Sequence, residues 1–171
     1  DTIESIAKVD YLTGEVLEKY HEYNLFPVYD HASTRETISR ACNSIIEEMK
    51  ERVQYFINEG KPLEAERIEL RTRQDVENLR EFGICPGIEN YSRHIDQRKP
   101  GEKCFCLFDY FPKDYLLIID EPHATLPQVR GMFNGDHSRK LTLVEYGFRL
   151  PSALDNRPLN FSEFEDEINQ V

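Results

Sequence analysis

The feature of the sequence that most constrains the fold is a stripe of apolar residues between positions 38 and 56. Ser33 followed by Glu36 matches a capping box and predicts the start of a helix there, and Gly60 predicts its end. Neighbouring members of the stripe are three or four residues apart, so one helix face would carry Ile38, Cys42, Ile45, Met49, Val53 and Phe56. Such a helix must bury this face against another element.

A second helix is predicted directly after the first. Pro62 suits the first turn of a helix, and Gly83 would end it after about Phe82, so the two helices should form an antiparallel hairpin. Five acidic and five basic residues alternate between positions 61 and 80, which is typical of a solvent-exposed face held by pairs three or four residues apart. The alternative is that Arg71 or Arg73 has a specific partner elsewhere in the protein.

The segments on either side of this hairpin indicate mixed structure. Before it, Gly14 lies between two short extended stretches and predicts a β-hairpin, followed by a further extended piece at 25–29. After it, the sequence predicts a turn at Pro100–Gly101 and a strand at 105–108. Further helices are expected at 124–133, 136–147 and 162–169.

The strongest strand signal is the unbroken apolar run 115–119, which is typical of a strand buried on both faces of a parallel sheet. Asp120 and Glu121 follow it directly. Because parallel strands end at the ligand-binding edge of an α/β sheet, two carboxylates there fit a Walker B element. Asp120 would then hold Mg²⁺ and Glu121 would polarise the attacking water. The alternative is an ordinary strand end in solvent.

Other candidate motifs are weaker. His123 alone is more typical of a surface or core histidine, and Cys104-x-Cys106 has the wrong spacing for a zinc knuckle. The sequence contains no G-x-x-x-x-G-K-[ST] loop to cradle a triphosphate. The paired carboxylates are therefore either accidental or part of a longer ATPase, and a chain that opens without Met fits an excised piece.

Composition restricts the classes of function. With 32 acidic against 21 basic residues the net charge is −11, which disfavours a protein that coats nucleic acid with its whole surface. No apolar run is long enough for a membrane span, and no secretory signal opens the chain. Four scattered cysteines do not form a disulfide framework, so we expect a reducing, cytoplasmic location.

Several segments together resemble the UvrB family, the damage-verifying subunits of bacterial nucleotide excision repair. The most specific is the fourteen-residue run Tyr146-Gly-Phe-Arg-Leu-Pro-Ser-Ala-Leu-Asp-Asn-Arg-Pro-Leu159, and Ile119-Asp-Glu-x-His123 is another. The remaining segments lie at 66–73, 87–94, 109–114, 126–132 and 134–136. The resemblance covers nearly the whole chain and is weakest over residues 1–30.

The resemblance implies an α/β fold that is part of a P-loop NTPase domain of the superfamily 2 helicase type. Residues 1–30 would be the β-structured tail of the UvrA-interaction domain, 31–84 the helical hairpin of helicase domain 1, and 85–171 an α/β segment of that domain carrying motif II. The implied cofactors are ATP and Mg²⁺. The implied partners are UvrA, UvrC and damaged DNA, within the excision nuclease of the SOS response.

The resemblance also assigns roles to the residues of motif II. Asp120 would be the Mg²⁺ carboxylate, Glu121 the hydrolytic base, and His123 the residue that couples nucleotide state to domain movement. Such proteins usually have Ser where this sequence has Pro122. Because proline lacks an N–H and fixes φ, either the turn does not need that donor or the coupling through His123 is altered.

Charged residues elsewhere are implied to contact DNA or the β-hairpin that clamps one strand. Arg71, Glu89 and Arg149 would lie near that hairpin, and both signs of charge suit a polar clasp. The groups available for phosphate contacts are Arg93, His94, Arg98, Lys99, Arg139 and Lys140. The alternative for these six is that they are solvated loop charges. An acidic total does not conflict with DNA binding if most of the DNA grip lies elsewhere in the parent protein.

The isolated chain is expected to behave differently from its parent. Without a P-loop it should neither bind nor hydrolyse ATP, and it could serve only as a protein-interaction module. The run 115–119 would also lack sheet neighbours, which leaves unpaired edges and favours a non-native dimer.

Overall fold

The computed structural model describes residues 3–24, 31 and 33–171, which divide into two compact units, Asp1–Asp30 and His31–Val171. The first unit contains strands β1 (Ile6–Val9) and β2 (Val16–Tyr20), paired antiparallel. Gly14 takes a φ of 73°, which a residue without Cβ adopts at little cost. The predicted β-hairpin is confirmed, and the extended piece predicted at 25–29 lies outside the described residues.

Two long helices dominate the second unit, α1 (Arg35–Asn58) and α2 (Pro62–Phe82), and they form the predicted hairpin. Gly83 ends α2 with a φ of 75°, as expected. The predicted capping box at the start of α1 is wrong by one residue. Because α1 begins at Arg35, Thr34 is its N-cap, and the Thr34 hydroxyl accepts a hydrogen bond from the Thr37 N–H at 3.2 Å.

The core of this unit lies between α1 and α2 and extends to the segment that follows. Five members of the predicted stripe are buried, with Cys42, Ile45 and Phe56 fully enclosed, while Val53 is partly buried against them. From α2 the core receives Ala65, Ile68, Val76 and Leu79, and from later segments Cys85, Tyr91, Ile95 and Leu150. A short 3₁₀ turn, Ile88–Tyr91, and helix α3 (Ser92–Ile95) bring Tyr91 and Ile95 to this core.

Neither of the two strands predicted after position 104 forms in this structure. Residues Leu107–Tyr110 form a 3₁₀ turn, and the run 115–119 contains only an isolated bridge between Leu116 and Gln170. The side chain of Ile118 is 83% exposed, although the apolar run predicts burial on both faces. Among the described residues, the segment around Gln170 is the only one paired with this run. A parallel sheet therefore does not form within this part of the chain.

The C-terminal helices differ from their predicted bounds. A single helix α4 (Pro122–Glu145) replaces the two predicted at 124–133 and 136–147, because Gly135 continues the helix. A glycine inside a helix costs about 1 kcal/mol relative to alanine, which a long helix can offset. Helix α5 (Phe161–Glu167) begins at a capping box formed by Asn160 and Glu163 and is shorter than predicted.

The described structure is thus a mixed, helix-rich fold with one small two-stranded sheet, and the described residues do not contain the parallel sheet of the predicted P-loop domain. None of the helices in the described residues combines the length and the apolarity needed to span a bilayer.

Candidate functional site

The paired carboxylates lie in a sharp turn that leads into α4. Glu121 is the N-cap of this helix and has a left-handed backbone, with φ 47° and ψ 54°. Asp120 Oδ1 accepts a hydrogen bond from the Glu121 N–H at 3.0 Å, and the Thr125 hydroxyl donates to the Asp120 carbonyl at 3.0 Å. A left-handed non-glycine residue costs about 1–3 kcal/mol and persists where surrounding contacts hold it. Both ends of the Asp120–Glu121 peptide are held in this way.

The side chains of this turn face solvent. Asp120 is exposed, and Glu121 and His123 have 69% and 79% of their side-chain surface accessible. The Glu121 Oε2 and His123 Nδ1 atoms lie 3.3 Å apart, so the structure brings the acid and the histidine of the motif together. Both carboxylates are open to a ligand approaching from solvent.

Pro122 is the first residue of α4. An N–H at this position of a helix has no intrahelical acceptor, so proline there removes no helical hydrogen bond. The geometry favours the first alternative for this departure from the family pattern, in which the turn does not need the missing donor.

Three charged residues implied to contact DNA or its clamping hairpin meet at the loop after α2. Arg71 Nη2 donates to the Pro86 carbonyl at 3.3 Å. A Cβ placed on the adjacent Gly87 would lie 3.8 Å from Glu89 Oε1 and 3.9 Å from Arg149 Nη2. Arg71 therefore has a partner outside its own helix.

Arg73 differs from Arg71, because it pairs with Glu69 on the same helix. Arg73 Nη2 lies 2.7 Å from Glu69 Oε1, and both side chains are exposed. This is the solvent-exposed pairing that the alternation of charges along α2 predicts.

The buried carboxylate of Asp75 holds the guanidinium of Arg71 in place. Asp75 is only 4% exposed, and its Oδ2 accepts hydrogen bonds from Arg71 Nε at 2.9 Å and from the Tyr91 hydroxyl at 2.8 Å. Burial, followed by the charge of Asp75, raises the pKa of the Cys85 thiol to about 12. The same two causes, with the hydrogen bond to Asp75, raise the pKa of Tyr91. Both groups therefore stay neutral beside the Asp75 carboxylate at ordinary pH.

Arg93 and His94 are not solvated loop charges, because both bind acids whose side chains are no more than 13% exposed. Arg93 Nη1 lies 2.7 Å from Asp155 Oδ2, and Arg93 Nη2 lies 3.2 Å from Glu48 Oε1. His94 Nε2 is 2.7 Å from Glu48 Oε2, while its Nδ1 is hydrogen-bonded to the Ser44 hydroxyl. We call Glu48, Arg93, His94 and Asp155 the Glu48 cluster. It joins α1 to α3 and to the segment that precedes α5.

Two more of the cations predicted for phosphate contacts are buried as well. Arg98 donates to the Asp155 carbonyl at 3.0 Å and to the Ser92 hydroxyl at 2.8 Å. Lys140 Nζ pairs with Asp136 at 2.9 Å and donates to the Asn156 carbonyl. Arg93, His94 and Arg98 each bind an acid or a carbonyl that lies 46 to 62 residues away in the sequence. Local spacing in the sequence therefore could not have identified these networks.

The last two of the six cations remain accessible. Arg139 is 66% exposed and pairs with Asp136 at 3.0 Å. Lys99 is exposed. The solvated reading of loop charges therefore fits these two, whereas the other four belong to the folded interior.

Comparison with known proteins gives a family for this arrangement. Residues 36–97, which include α2, α3 and all of α1 except Arg35, match the family model described as UvrB third helical domain. Over 171 residues the chain is 56% identical to UvrABC system protein B of Carboxydothermus hydrogenoformans and 54% identical to that of Symbiobacterium thermophilum. Each of these matches covers 100% of the chain and 26% of the relative.

A third relative, UvrABC system protein B of Mycoplasma mobile, is 57% identical over 165 residues, which are 96% of the chain and 25% of that protein. The chain spans about a quarter of the length of the curated relatives it matches. The matched stretch of the chain includes the Asp120–Glu121 turn, the loop after α2 and the Glu48 cluster. By sequence, and over its whole length, the chain belongs to the UvrB family.

Proposed function

We propose that the chain serves bacterial nucleotide excision repair as a stretch of the B subunit of the UvrABC excinuclease. In this role it contributes Asp120 and Glu121 to an ATP-hydrolysing site that other parts of the subunit complete. The observation that carries the proposal is the Asp120–Glu121 turn, in which two exposed carboxylates stand at the start of α4 and both ends of their shared peptide are held.

The chemistry of the two carboxylates fits such a site. Mg²⁺ prefers oxygen ligands and is usually held by one or two carboxylates together with substrate phosphates. Within the described residues no group of three His, Cys, Asp or Glu side chains could hold a metal, and an Mg²⁺ site of this kind does not need one. Asp120 would hold Mg²⁺, which neutralises charge on the phosphates. Glu121 would orient the attacking water and accept its proton.

The finer fold proposal is a P-loop NTPase domain of the helicase type. In such a domain the run 115–119 would be an inner strand of a parallel sheet, and its neighbours would come from outside these 171 residues. The exposure of Leu116 and Ile118 supports this proposal. An apolar run that ends in paired carboxylates is typical of a buried parallel strand, yet within this chain no neighbouring strand of the described residues buries these two side chains. The loop that cradles the triphosphate would likewise come from outside, since the sequence contains no G-x-x-x-x-G-K-[ST].

The proposed partners are UvrA, UvrC and damaged DNA. For UvrA we favour the β-hairpin of the first unit, because its strands carry exposed apolar side chains at Val9, Val16 and Leu17. Exposed apolar residues that lie together are typical of protein contacts. For the strand-clamping hairpin we favour the loop after α2, where Arg71, Glu89 and Arg149 meet.

The proposal is tested by Glu121→Gln in the full-length protein. Loss of the base should leave ATP binding intact and lower turnover by about 10²-fold or more, because general base catalysis typically contributes 10²–10⁴. UvrA-dependent loading on damaged DNA should be lost as well. Glu145→Gln, at the exposed far end of the same helix, is the matched control and should behave like the wild type. Normal turnover by Glu121→Gln would remove Glu121 from the role of base.

The UvrA contact is tested separately by Leu17→Asp in full-length protein. A charge on the exposed apolar face of β2 should weaken UvrA binding measured by surface plasmon resonance. His21→Asp adds the same charge at an exposed position just after β2 and should have little effect. Equal binding by both variants would exclude this face of the hairpin.

A further inference from the structure

A cavity of about 410 Å³ lies between α1 and the turn that follows α3. We call it the basic pocket. Although the chain carries a net charge of −11, none of the residues that line this pocket is acidic. The polar lining consists of Arg40, Ser44, Arg93, His94, Gln97 and Arg98.

The arginines of the basic pocket are not equivalent. Arg93 is neutralised by Glu48 and Asp155, and Arg98 lies 3.2 Å from Asp96. Arg40 is exposed, and both acceptors that the described residues offer it are neutral. It donates to Gln97 Oε1 at 3.3 Å and to the Thr37 hydroxyl at 3.2 Å. Of the three arginines in the pocket, Arg40 is therefore the one whose positive charge is available to bind an anion.

Gln97 supplies a second, independent observation. Its φ is 57°, a left-handed conformation that is uncommon for a residue with a Cβ. Because its Oε1 accepts from Arg40, its Nε2 group remains as a donor at the pocket. Strained backbone of this kind is concentrated at ligand sites, where it is held to orient a side chain. The strain here places an amide donor beside the uncompensated guanidinium.

We propose that the basic pocket binds a backbone phosphate of a nucleic-acid strand. The guanidinium of Arg40 suits phosphate, because its planar fork donates two parallel hydrogen bonds to two oxygens. The Gln97 amide adds a neutral donor, and Lys99, exposed and next in sequence to the lining residue Arg98, adds a second positive charge nearby. No Phe, Tyr or Trp lines the pocket, and the one aromatic ring there, His94, is hydrogen-bonded to Ser44 and Glu48, so the lining favours a phosphate over a stacked base. The choice of a strand as the source of the phosphate rests on the proposed function.

The test uses full-length protein and a fluorescein-labelled single-stranded oligonucleotide, with affinity measured by anisotropy from 50 to 300 mM salt. Each phosphate contact on a single strand contributes about 0.7 to the slope of log K against log salt. Arg40→Gln should weaken binding several-fold at low salt and reduce the slope by about 0.7. Arg35→Gln changes another exposed arginine of α1, which lies about 140° around the helix from Arg40, and should change neither quantity.

Gln97→Gly separates binding from folding. Glycine relieves the left-handed strain, so the melting temperature should stay the same or rise, while loss of the amide should weaken oligonucleotide binding. A purely structural role for Gln97 would not produce this combination.

Inorganic phosphate distinguishes the source of the anion. We expect phosphate to raise the melting temperature of the wild type more than that of Arg40→Gln, and to compete with the oligonucleotide. If the phosphate effect depends on Arg40 but the oligonucleotide slope does not, the pocket takes free anions only and the strand proposal is wrong. Equal slopes for Arg40→Gln and Arg35→Gln would also overturn it. None of these measurements involves ATP turnover, so their failure is distinct from failure of the Glu121 test.

Discussion

The helical hairpin and the segment 105–121 are both rich in apolar residues, yet most of these residues are buried in the hairpin and most are exposed in the later segment. In the hairpin, Ile45 is fully buried between α1 and α2. In the later segment, Phe105, Leu107, Tyr110 and Ile118 are each at least 70% exposed. Apolar content alone therefore does not decide burial within this chain.

The difference between the two regions is where their partners lie. The apolar stripe on α1 packs against α2, which begins after a connection of only three residues. The element that buries the stripe is therefore close to it in sequence. The run 115–119 needs strands on both sides, and among the described residues its only pairing is the bridge from Leu116 to Gln170. In the proposed P-loop domain, the neighbouring strands would come from elsewhere in the polypeptide. The chain spans about a quarter of the length of its relatives. It therefore contains both helices that form the hairpin core, but it leaves Leu116 and Ile118 of the run 115–119 exposed.

The strongest test of the hairpin side of this comparison is Phe56→Ala. Phe56 is fully buried, and Phe→Ala in a packed core typically costs about 3–5 kcal/mol through lost burial and a residual cavity. Its neighbour Ile57 is 55% exposed, so Ile57→Ala is the control and should cost far less. Urea unfolding followed by circular dichroism measures both. Similar costs for the two variants would mean that the hairpin core is not packed as described.

The next largest effect is expected for Tyr91→Phe. Tyr91 donates to the buried Asp75 carboxylate, and a hydrogen bond to a charged group is worth about 1.5–3 kcal/mol. The phenyl ring still fills the core, so the loss should come from the hydroxyl alone. Tyr55→Phe, at a 45% exposed position of α1, serves as the control. A cost for Tyr91→Phe no greater than that of Tyr55→Phe in urea unfolding would show that Arg71 alone satisfies Asp75.

The sequence predicts the helices of the hairpin well because their signals are local. Spacing of the stripe, Pro62 at the first position of α2 and Gly83 at its end each act within a few residues. The β-hairpin around Gly14 is predicted for the same reason. Such features depend on neighbours that lie next to one another in the sequence.

The candidate site is predicted less completely, since its geometry depends on distant residues. The sequence singles out Asp120, Glu121 and His123, but it does not reveal the left-handed backbone of Glu121 or the support from Thr125. It names Arg93 and His94 as phosphate contacts and gives no sign that Glu48 binds both. Pairings across more than 40 residues are set by packing of the helices, which local patterns do not encode.

A smaller effect is expected from the pH dependence of the Glu48 cluster. Burial alone would raise the pKa of Glu48, but hydrogen bonds from His94 and the Ser152 N–H, with the charge of Arg93, bring it below its ordinary value of 4.5. A carboxyl whose pKa is lowered on folding stabilises the folded state above its unfolded pKa. This stabilisation is lost as the pH falls through the lowered value.

The measurement is the free energy of unfolding from pH 7 down to pH 3. Glu48→Gln should be less stable than the wild type at pH 7, and the difference should shrink as the pH falls below about 4.5. Glu47→Gln, at the exposed neighbouring position, should show no such convergence. A constant difference between wild type and Glu48→Gln across this range would contradict an ionised Glu48 in the cluster.

The smallest effect in the 171-residue chain is expected for Ile118→Ala, and the same change sharpens the comparison when it is made in the full-length protein. Ile118 is 83% exposed here, and substitutions at exposed positions usually change stability by no more than about 0.5 kcal/mol. If strands from outside this stretch cover the run, Ile118→Ala should cost about 2–5 kcal/mol in full-length protein, as it does in packed cores. Equal and small costs in both proteins would mean that no strand covers Ile118. A large cost in the 171-residue chain, with a dimer in sedimentation velocity, would mean that a second copy supplies the cover, because unpaired strand edges associate.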